Sequence, residues 1–484
     1  MTRLSDLLSI TAPLKDCSVR GVTADSRQVK ADFMFFALPG VSFDGRDFIP
    51  QAIAAGASTI LTTRGAKLPE GCPVQLIESD DPRADYARVA ARYYSPVPDF
   101  LVAVTGTNGK TSVADFTRQI WKRHGLISGS LGTLGVRSDL IQTQGGLTTP
   151  DPMLLHQSLK QLAVSGVTHC ALEASSHGLD QRRLEGVHIQ AAAFTNLTRD
   201  HLDYHANEMA YFKAKERLFT EVMTEEATAV INIDSPHGQS LAEKMKNDGR
   251  ALLTLGYAEG SDAQILAVTP HASGLVARIK YQAHEEDYRI PLMGSFQAEN
   301  ALAAALLAST ADIGVRQCLK SMESLRGVCG RMQYIGETAK GGAVYVDFAH
   351  TPDGLKTVLE AASKHATNSL DVLFGCGGDR DAGKRPIMGE IAGKLANRIY
   401  VTDDNPRHED AAAIRKQVMK GCGKAQEISD RGEAIHQAVE ALNDGDILIL
   451  AGKGHEEGQI IGDEKIAFSD IHTAKELLAV KELQ

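Results

Sequence analysis

The chain of 484 residues lacks most of the features that mark membrane and secreted proteins. It contains no apolar run of about 18 residues, and its first residues do not form an apolar leader with a small-residue cleavage site. Its seven cysteines are scattered and include no Cys-x-x-Cys pair, which argues against a disulfide framework or a structural zinc site. We therefore expect a soluble protein of the reducing cytoplasm with no membrane partner.

The chain also lacks an excess of basic residues. Its 61 acidic residues outnumber 51 lysines and arginines, so the formal net charge at pH 7 is -10. Nucleic acid and anionic membranes are polyanions that this overall charge would repel. We therefore expect small-molecule partners and no nucleic acid, and because nothing in the sequence indicates a partner chain, we expect a monomer.

Short apolar runs alternate with longer segments of helical periodicity along the whole chain, which is typical of α/β proteins with parallel sheets. Buried strands are predicted for residues 100–105, 167–173, 230–234, 344–347, 372–374, 398–402 and 446–450. The length exceeds what one hydrophobic core usually organises, so three domains are expected. Ligands of open parallel sheets bind beyond the carboxyl ends of the strands, which is where the chemistry is expected.

Two breaks in the pattern predict the domain boundaries. Ser95-Pro96-Val97-Pro98 cannot continue a helix and stands just before a strong strand. Arg326-Gly-Val-Cys-Gly-Arg331 follows a helical stretch and precedes a strand-rich segment. We predict domains of residues 1–97, 98–329 and 330–484.

A glycine-rich loop follows the predicted strand 100–105 and opens onto a segment of helical periodicity, the context of a phosphate-binding loop. The loop consists of Gly106, Thr107, Asn108, Gly109, Lys110, Thr111 and Ser112. The glycines let backbone N–H groups close around phosphate oxygens, Lys110 neutralises charge, and the Thr111 hydroxyl reaches a magnesium ion. Val104 stands where the general motif has its first glycine, so the loop is a variant form. It predicts ATP binding.

A magnesium nucleotide needs more oxygen ligands than the loop supplies. The run 167–173 ends on Glu173, in a suitable place for a second ligand, although an ordinary strand-end carboxylate has the same pattern. Residues 196–205 include His201 among several metal-binding groups, a density that ordinary polar loops also reach. Lys215, taken by itself, has the pattern of a surface lysine on an amphipathic helix.

Five motifs, in order along the chain, resemble the Mur ligase family. They are Gly106–Thr111, Glu173-Ala-Ser-Ser-His-Gly-Leu179, Thr195-Asn-Leu-Thr-Arg-Asp-His-Leu-Asp-Tyr-His205, Asp347-Phe-Ala-His-Thr-Pro-Asp353 and Phe374-Gly-Cys-Gly-Gly-Asp-Arg-Asp381. The loop spacing at Val104 also matches that family. The resemblance implies a smaller N-terminal α/β domain for a UDP substrate, a central P-loop mononucleotide-binding parallel-sheet domain for ATP, and a C-terminal Rossmann-like domain for an amino acid.

The resemblance also implies a reaction and its substrates. It is strongest to the ligases that add the third peptide residue to UDP-N-acetylmuramoyl-L-alanyl-D-glutamate in peptidoglycan precursor synthesis. In such a reaction ATP phosphorylates the D-glutamate side-chain carboxylate, and the incoming amine attacks the acyl phosphate, with Mg²⁺ as cofactor. Asp404-Asn405-Pro406-Arg407 resembles the subgroup that adds meso-diaminopimelate, whose far carboxylate suits a two-pronged arginine donor. Outside this family the tetrapeptide would suit a surface turn.

Site residues are implied by their positions in the family's motifs. UDP-substrate positions are Ala24, Ser26, Thr148, Thr149, Ser175, Gln181 and Arg183, together with the stretch 41–43. Amino-acid positions are Arg380, Asp404, Asn405, Pro406, Arg407, Gly452 and Glu456. Magnesium positions are Thr111, Glu173 and His201, Lys215 is implied to be carbamylated, and Asn300, Arg331 and His350 match nucleotide or interdomain positions.

Two other functions compete with this interpretation. A guanine-nucleotide switch would need an Asn-Lys-x-Asp motif, and the sequence contains no Asn-Lys dipeptide. A folylpolyglutamate synthetase also joins an amino acid to a carboxylate with ATP. The resemblance of the N-terminal segment to a UDP-binding domain and the tetrapeptide at Asp404 argue against that enzyme.

Overall fold

The computed structural model describes residues 2–8, 15–40, 43–201, 204–271 and 274–481. Three sheets of four, ten and six strands follow one another along the chain, and helices cover them. We call the parts built on these sheets the first, middle and last units. The predicted α/β class is confirmed. In the described part of the chain no helix is long and apolar enough to cross a membrane.

In the described residues of the first unit there are a small antiparallel pair of strands, a four-stranded parallel sheet and three α-helices. The strands are β1 (Thr2–Arg3), β2 (Ser18–Val19), β3 (Gly21–Thr23), β4 (Phe33–Ala37), β5 (Ala57–Thr63) and β6 (Gln75–Ser79). The helices are α1 (Leu4–Leu7), α2 (Ile49–Ala54) and α3 (Pro82–Tyr93). The sheet order is β3-β4-β5-β6. Helix α3 begins where the Asp81 side chain accepts a bond from the Ala84 N–H and Pro82 occupies the first turn.

The middle unit is built on ten strands. They are β7 (Phe100–Thr105), β8 (Ser128–Gly132), β9 (Gly135–Ser138), β10 (His169–Glu173), β11 (Ile189–Phe194), β12 (Met223–Asn232), β13 (Ala251–Gly256), β14 (Ala263–His271), β15 (Gly274–Tyr281) and β16 (His284–Ile290). The order is β16-β15-β14-β13-β12-β11-β7-β10-β8-β9. Strands from β14 to β8 in this order pair in parallel, whereas β15, β16 and β9 join antiparallel at the two ends.

Helices cover both faces of the middle sheet, which explains why β7 and β10 are almost continuously apolar. They are α4 (Lys110–Arg123), α5 (Pro152–Val164), α6 (Ser176–Asp180), α7 (Glu208–Arg217), α8 (Pro236–Asn247), α9 (Phe296–Ser309) and α10 (Val315–Ser321). Trp121 of α4 is fully buried, and its indole N–H donates to the Ala308 carbonyl oxygen of α9 at 3.1 Å. This contact joins the helix after the phosphate loop to the helix that carries Asn300.

The last unit has a six-stranded sheet and a separate hairpin. The strands are β17 (Gln333–Glu337), β18 (Ala343–Asp347), β19 (Leu370–Phe374), β20 (Arg398–Val401), β21 (Gln426–Glu427), β22 (Ile447–Ala451), β23 (Gly458–Ile461) and β24 (Glu464–Ala467). The helices are α11 (Pro352–Ser363), α12 (Lys384–Leu395), α13 (Ala411–Met419), α14 (Arg431–Glu440) and α15 (Asp470–Lys481). The sheet order is β17-β18-β22-β19-β20-β21, and only β17 pairs antiparallel.

All seven predicted strands are present, and six agree with the structure to within two residues at each end. The seventh, predicted at 230–234, is β12, which begins earlier at Met223 and ends at Asn232. Its first half contains the exposed residues Glu225 and Glu226. A search for apolar runs therefore detects only the buried second half.

Candidate active site

Four neighbouring parallel strands of the middle sheet, β12, β11, β7 and β10, end at the same edge. The phosphate loop follows β7, Glu173 ends β10, and Thr195 follows β11 directly. Parallel strands bring their carboxyl ends together, so three separate sequence motifs meet at one edge.

The phosphate loop is held in shape by the segment after β11. Thr195 Oγ1 donates to the Asn108 carbonyl oxygen at 2.6 Å, and the Asn196 side-chain oxygen accepts from the Asn108 N–H at 2.9 Å. The Thr107 N–H donates to the Asn196 carbonyl oxygen at 2.9 Å. These contacts fix the loop before any ligand binds.

Both glycines of the loop are required by close contacts. Gly106 and Gly109 have φ of 144° and 89°, conformations that favour glycine. A methyl group at Gly106 would overlap Thr195 Oγ1, and one at Gly109 would overlap Asn300 Oδ1. Asn300, a predicted nucleotide or interdomain residue, is thus buried directly against the loop.

Two lysines donate to the same carbonyl of the loop. Lys110 Nζ lies 2.8 Å from the carbonyl oxygens of Gly106 and Thr107, and Lys215 Nζ lies 2.7 Å from that of Gly106. The side chain of Lys215 is buried and its ammonium lies 4.3 Å from the Tyr211 ring centroid. Burial, and secondarily the charge of Lys110, holds the pKa of Lys215 well below its usual value.

The interpretation of Lys215 as a surface lysine, which its sequence pattern alone suggests, is therefore wrong. Helix α7 packs its Tyr211, Phe212 and Lys215 side inward, while Lys213 is exposed. Periodicity alone could not detect this, because a buried lysine and a solvated lysine have the same place in an amphipathic pattern.

The Glu173 carboxylate is fixed beside the loop. Its Oε2 accepts from Thr111 Oγ1 at 2.9 Å and from Thr133 Oγ1 at 3.1 Å, and its Oε1 accepts from the Thr133 N–H at 2.9 Å. Glu173 is buried, and a methyl group at Gly132 would overlap its carboxylate. Thr133 was not predicted, although it follows the carboxyl end of β8, where the parallel-sheet rule directs the search.

His201 lies in a cluster of rings beside the loop. Its ring centroid is 4.7 Å from that of His177 and 6.0 Å from that of Tyr211. The Tyr211 hydroxyl is 3.2 Å from Thr107 Oγ1, so this cluster contacts the phosphate loop. His201 has a φ of 54°, and its side chain is 41% exposed, which leaves the ring accessible to a ligand.

The residues predicted to hold the muramoyl-dipeptide lie next to Glu173. Thr149 Oγ1 donates to the Glu173 carbonyl oxygen at 2.8 Å and accepts from the Ser175 N–H at 2.9 Å. Arg183 donates to the Thr149 carbonyl oxygen at 2.6 Å and to Gln181 Oε1 at 2.7 Å. Thr149 and three predicted residues of the later segment 175–183 thus form one hydrogen-bonded group.

Thr148 extends this group, since its hydroxyl is 3.0 Å from Thr133 Oγ1. Ala24 and Ser26 lie in the first unit, where Ser26 Oγ donates to Gln51 Oε1 at 3.0 Å. Of the predicted stretch 41–43, residues 41 and 42 lie outside the described residues, and Phe43 is exposed.

Two loops of the last unit carry Arg380 and Arg407, which were both predicted to bind the amino acid. Arg407 donates to the Gly378 carbonyl oxygen at 2.8 Å, in the segment that leads to Arg380. Asp379 and Arg407 have φ of 53° and 52°, so both loops turn through the left-handed region. Glu409 joins the loops, because its Oε1 accepts from the Asp379 N–H at 2.6 Å.

The other amino-acid positions lie close together, and most of them are buried. Asn405 Nδ2 donates to Glu456 Oε2 at 2.9 Å, and Asp404 and Asn405 are buried. Gly452 has a φ of 111°, and a methyl group there would crowd Asp404 Oδ2. Pro406 is also buried, and its carbonyl oxygen accepts from the Glu409 N–H at 3.1 Å.

Lys453 lies at the centre of this group and was not among the predicted residues. Its Nζ donates to Asn405 Oδ1 at 3.0 Å and to Glu456 Oε2 at 3.3 Å. The flanking glycines, Gly452 and Gly454, are the signal that could have indicated it, since both have positive φ and place the lysine between two tight turns.

The last unit also reaches the phosphate loop. Arg331 Nη2 lies 3.4 Å from Thr111 Oγ1, and its guanidinium lies 4.5 Å from the Phe348 ring centroid. Asn108 Nδ2 donates to Asp353 Oδ2 at 3.3 Å. His350 is exposed, with a ring nitrogen 2.8 Å from the Phe348 carbonyl oxygen. The loop is therefore bordered by residues of both the middle and last units.

A phosphate loop on a central parallel strand, beside a fixed carboxylate and a second sheet with its own polar site, defines a P-loop nucleotide-dependent enzyme. Three family models match the chain: Mur ligase family, catalytic domain, at residues 18–106; Mur ligase middle domain, at residues 104–308; and Mur ligase, glutamate ligase domain, at residues 330–454. The chain belongs to the Mur ligase family.

Curated relatives match over nearly the whole length. The chain is 46% identical over 478 residues to the UDP-N-acetylmuramoyl-L-alanyl-D-glutamate–2,6-diaminopimelate ligase of Caulobacter vibrioides, covering 97% of both chains. It is 46% identical over 467 residues to the protein of the same name from Chelativorans, covering 96% of each. A solved structure with that name shares 32% identity, a TM-score of 0.73 and 99% coverage of both chains.

Two more distant structures share the fold alone. The MurF ligase of Thermotoga maritima in complex with ADP is 19% identical with a TM-score of 0.63, covering 96% of this chain and 98% of its own. A folylpolyglutamate synthase of Mycobacterium tuberculosis is 16% identical with a TM-score of 0.62, covering 76% of this chain and 92% of its own.

Proposed function

We propose that this protein is an ATP-dependent ligase that adds meso-diaminopimelate to UDP-N-acetylmuramoyl-L-alanyl-D-glutamate. The observation that carries the proposal is the meeting of the phosphate loop, through Thr111 and Glu173, with the hydrogen-bonded group at Thr149. Relatives that are 46% identical over nearly the full length bear the corresponding name.

The chemistry requires activation, because a carboxylate is a poor electrophile at neutral pH. An oxygen of the D-glutamate side chain attacks the γ-phosphorus of ATP, ADP leaves, and an acyl phosphate forms. The amine of diaminopimelate then attacks the acyl carbon, and the tetrahedral intermediate expels phosphate while the amine loses a proton. Lys110 stabilises charge on the phosphoryl oxygens throughout.

Mg²⁺ is the cofactor that we propose, and Thr111, Glu173 and His201 would hold it. Thr111 and Glu173 fit because they offer oxygen atoms 2.9 Å apart at the phosphate loop. Among the residues that the structure describes, no three His, Cys, Asp or Glu side chains form a metal-binding group, so phosphate oxygens and water would complete the coordination. When bound, the ion supplies positive charge to the phosphates.

Lys215 is proposed to carry a carbamate. Burial lowers the pKa of the Lys215 amine and so favours its neutral form, which can attack carbon dioxide, forming an N–C bond and releasing a proton. The product is a carboxylate, which reverses the charge of the side chain beside Lys110 and offers oxygen ligands to a cation.

We propose that the three parts of the chain divide the substrates between them. Residues 1–97, with Ala24 and Ser26, would bind the UDP end, residues 98–329 would bind ATP, and residues 330–484 would bind the amino acid. Arg380 and Arg407 suit the far carboxylate of diaminopimelate, and Glu456 suits the ammonium group. The use of ATP is consistent with a cytoplasmic reaction.

The test is amino-acid-dependent release of phosphate from ATP with UDP-muramoyl-dipeptide as acceptor. We expect release with meso-diaminopimelate, much less with lysine, and background without an amino acid. Dihydrofolate with glutamate tests the alternative activity of a folylpolyglutamate synthetase, an enzyme class that shares this fold. Release with dihydrofolate but not with UDP-muramoyl-dipeptide would contradict the proposal.

A further inference from the structure

Lys453 has an unusual position for a lysine, since its side chain is 0% exposed. All three of its donor positions are used: Nζ lies 3.0 Å from Asn405 Oδ1, 3.3 Å from Glu456 Oε2 and 2.7 Å from the Gly458 carbonyl oxygen. Asp404 Oδ1 lies 3.7 Å away. A buried ammonium is costly unless it is paired and hydrogen-bonded, and these partners satisfy that condition.

The contacts of Lys453 determine which way the Asn405 amide points. Asn405 Oδ1 accepts from Lys453 Nζ and from the Ile460 N–H, each at 3.0 Å, which uses both of its lone pairs. The amide nitrogen must therefore point the other way, and it donates to Glu456 Oε2 at 2.9 Å. A flipped amide would turn its N–H₂ group toward two other donors.

The same contacts leave one oxygen of Glu456 available. Oε2 accepts from both Asn405 and Lys453, whereas Oε1 has no hydrogen-bond partner among the described residues. The side chain of Glu456 is 35% exposed, so Oε1 is accessible. One oxygen of the carboxylate is thus anchored, and the other is presented to an incoming donor.

Charge supports the same conclusion. Lys453 faces the two carboxylates of Asp404 and Glu456, so these three groups together carry one negative charge. The neighbouring Arg431 is already neutralised by a two-pronged pair with Asp470, with both distances at 2.7 Å. The single negative charge shared by Asp404, Glu456 and Lys453 therefore suits the binding of one ammonium group. Without Lys453, two carboxylates would repel each other at the same place.

We propose that Lys453 is a positioning residue for the incoming amino acid: it orients Asn405 and Glu456 so that Glu456 Oε1 receives the substrate ammonium. This inference rests on the proposed function. A purely structural salt bridge would instead stabilise the last unit without affecting any one substrate more than the others.

The test replaces Lys453 with methionine, which has a similar length and no charge. We expect Lys453→Met to raise the KM for diaminopimelate at least tenfold, with the KM values for ATP and UDP-muramoyl-dipeptide within twofold of wild type. Lys453→Gln, which keeps a donor group, is a second variant in case the methionine variant does not fold, and it should show the same selectivity with a smaller rise.

Arg398 provides the matched control. It forms two ion pairs in the same unit, with Asp371 at 2.7 Å and with Asp446 at 2.6 Å, but at the amino ends of the parallel strands, away from the site. Arg398→Met should lower stability and leave all three KM values unchanged.

The outcomes separate the two proposals. If the Lys453 variants behave like Arg398→Met, with lowered stability but an unchanged KM for diaminopimelate, the positioning role is overturned and the proposed function stands. If wild type releases no phosphate in response to diaminopimelate, the proposed function fails, and this inference fails with it.

Discussion

At the residue scale, the surroundings of Lys215 determine its chemistry. Among the residues that the structure describes, its ammonium would be stabilised by a backbone carbonyl oxygen, an aromatic face and attraction to Asp200, while Lys110 repels it. These groups replace water poorly, so the pKa falls and the neutral amine is populated. Because a neutral amine is the form that reacts with carbon dioxide, burial makes Lys215 reactive where an exposed lysine would be protonated.

This predicts that ¹³C-bicarbonate produces a carbamate signal in the ¹³C NMR spectrum of the wild-type protein at pH 7 to 8. In Lys215→Met the signal should be absent, and kcat should fall at least tenfold. Lys213→Met, which replaces an exposed residue of the same helix, should keep the carbamate signal and the wild-type kcat. The signal should weaken at lower pH, as protonation of the amine competes with carbon dioxide. A signal that persists in Lys215→Met would contradict the assignment.

Arg407 is the residue expected to select the amino acid. Arg407→Ala should reduce the preference for diaminopimelate over lysine by about 2 to 3 kcal/mol, because a desolvated carboxylate would lose a charged donor. The measurement is the ratio of kcat/KM for the two amino acids. Lys416→Ala, on the exposed side of α13, is the control. An unchanged ratio would rule out the selective role.

The raised pKa of Glu299 predicts how the stability of the protein depends on pH. Its carboxylate is partly buried, accepts from Asn232 Nδ2 at 3.1 Å, and has a pKa raised to about 7, mainly by burial and further by Asp234. The folded state thus keeps a proton that the unfolded chain releases near pH 4.5, so this group's contribution to stability falls as pH rises from about 4.5 to about 7.

Glu299→Gln should remove the loss of stability that the ionisation of Glu299 causes as the pH rises. At pH 8 its free energy of unfolding should exceed that of wild type by about 1 to 3 kcal/mol, and near pH 4 the two should agree. Urea denaturation followed by the fluorescence of Trp121, the sole tryptophan, reports on the same unit. Exposed Glu243→Gln should show no such difference between the two pH values.

At the element scale, the two arginine-bearing loops of the last unit are held by one charged pair. Arg385 of α12 is fully buried and donates through both terminal nitrogens to Glu409, at 2.8 Å each, while Arg385 Nη2 also donates to the Gly377 carbonyl oxygen at 3.1 Å. The loops before Arg380 and after Arg407 are therefore fixed by the same side chains. Sequence patterns show that such loops exist but not that a buried arginine joins them.

Glu409→Ala should cost about 3 to 5 kcal/mol of unfolding free energy, because it leaves a buried guanidinium without its negatively charged partner. Glu427→Ala removes the more exposed partner of Arg415 and should cost no more than about 1 kcal/mol. Chemical denaturation of the two variants makes the comparison. Equal costs would mean that the buried pair is not what holds the loops.

Strands that are fully buried are easier to predict from the sequence than strands with one exposed face. Fully buried strands such as β7 and β22 are apolar throughout, so their runs locate them within two residues. The antiparallel strands β15 and β16 were missed, because their outward residues are charged and no continuous apolar run remains. The motifs predicted many of the polar residues that the structure brings together at the candidate site, but Thr133 and Lys453 became apparent only from the packing of separate segments.

At the scale of the whole molecule, residues from different units meet around the phosphate loop. Arg331 and Asp353 approach it from the last unit, and Gln144 of the middle unit donates to Glu457 of the last unit at 3.2 Å. Three sheet-based units were predictable from length and from the two breaks in the pattern. The contacts that join them were not, because each joins residues distant in sequence.

Nucleotide binding should therefore affect more than one unit. A non-hydrolysable ATP analogue at 100 times its Kd should stabilise the protein by about 2.7 kcal/mol. It should also slow hydrogen exchange at the start of α11, next to Asp353, and leave β3 to β6 unchanged. Lys110→Met should abolish both effects. Protection confined to the middle unit would show that the Asn108–Asp353 contact does not couple the units.

The antiparallel end of the middle sheet has a practical consequence. Strands β15 and β16 extend the sheet beyond β14, and their connecting turn at Gln282 and Ala283 is exposed, several strands from the phosphate loop. Exposed turns at such places accept insertions well. A fluorescent reporter or purification tag placed there should leave catalysis intact, so the enzyme can be labelled without using either terminus.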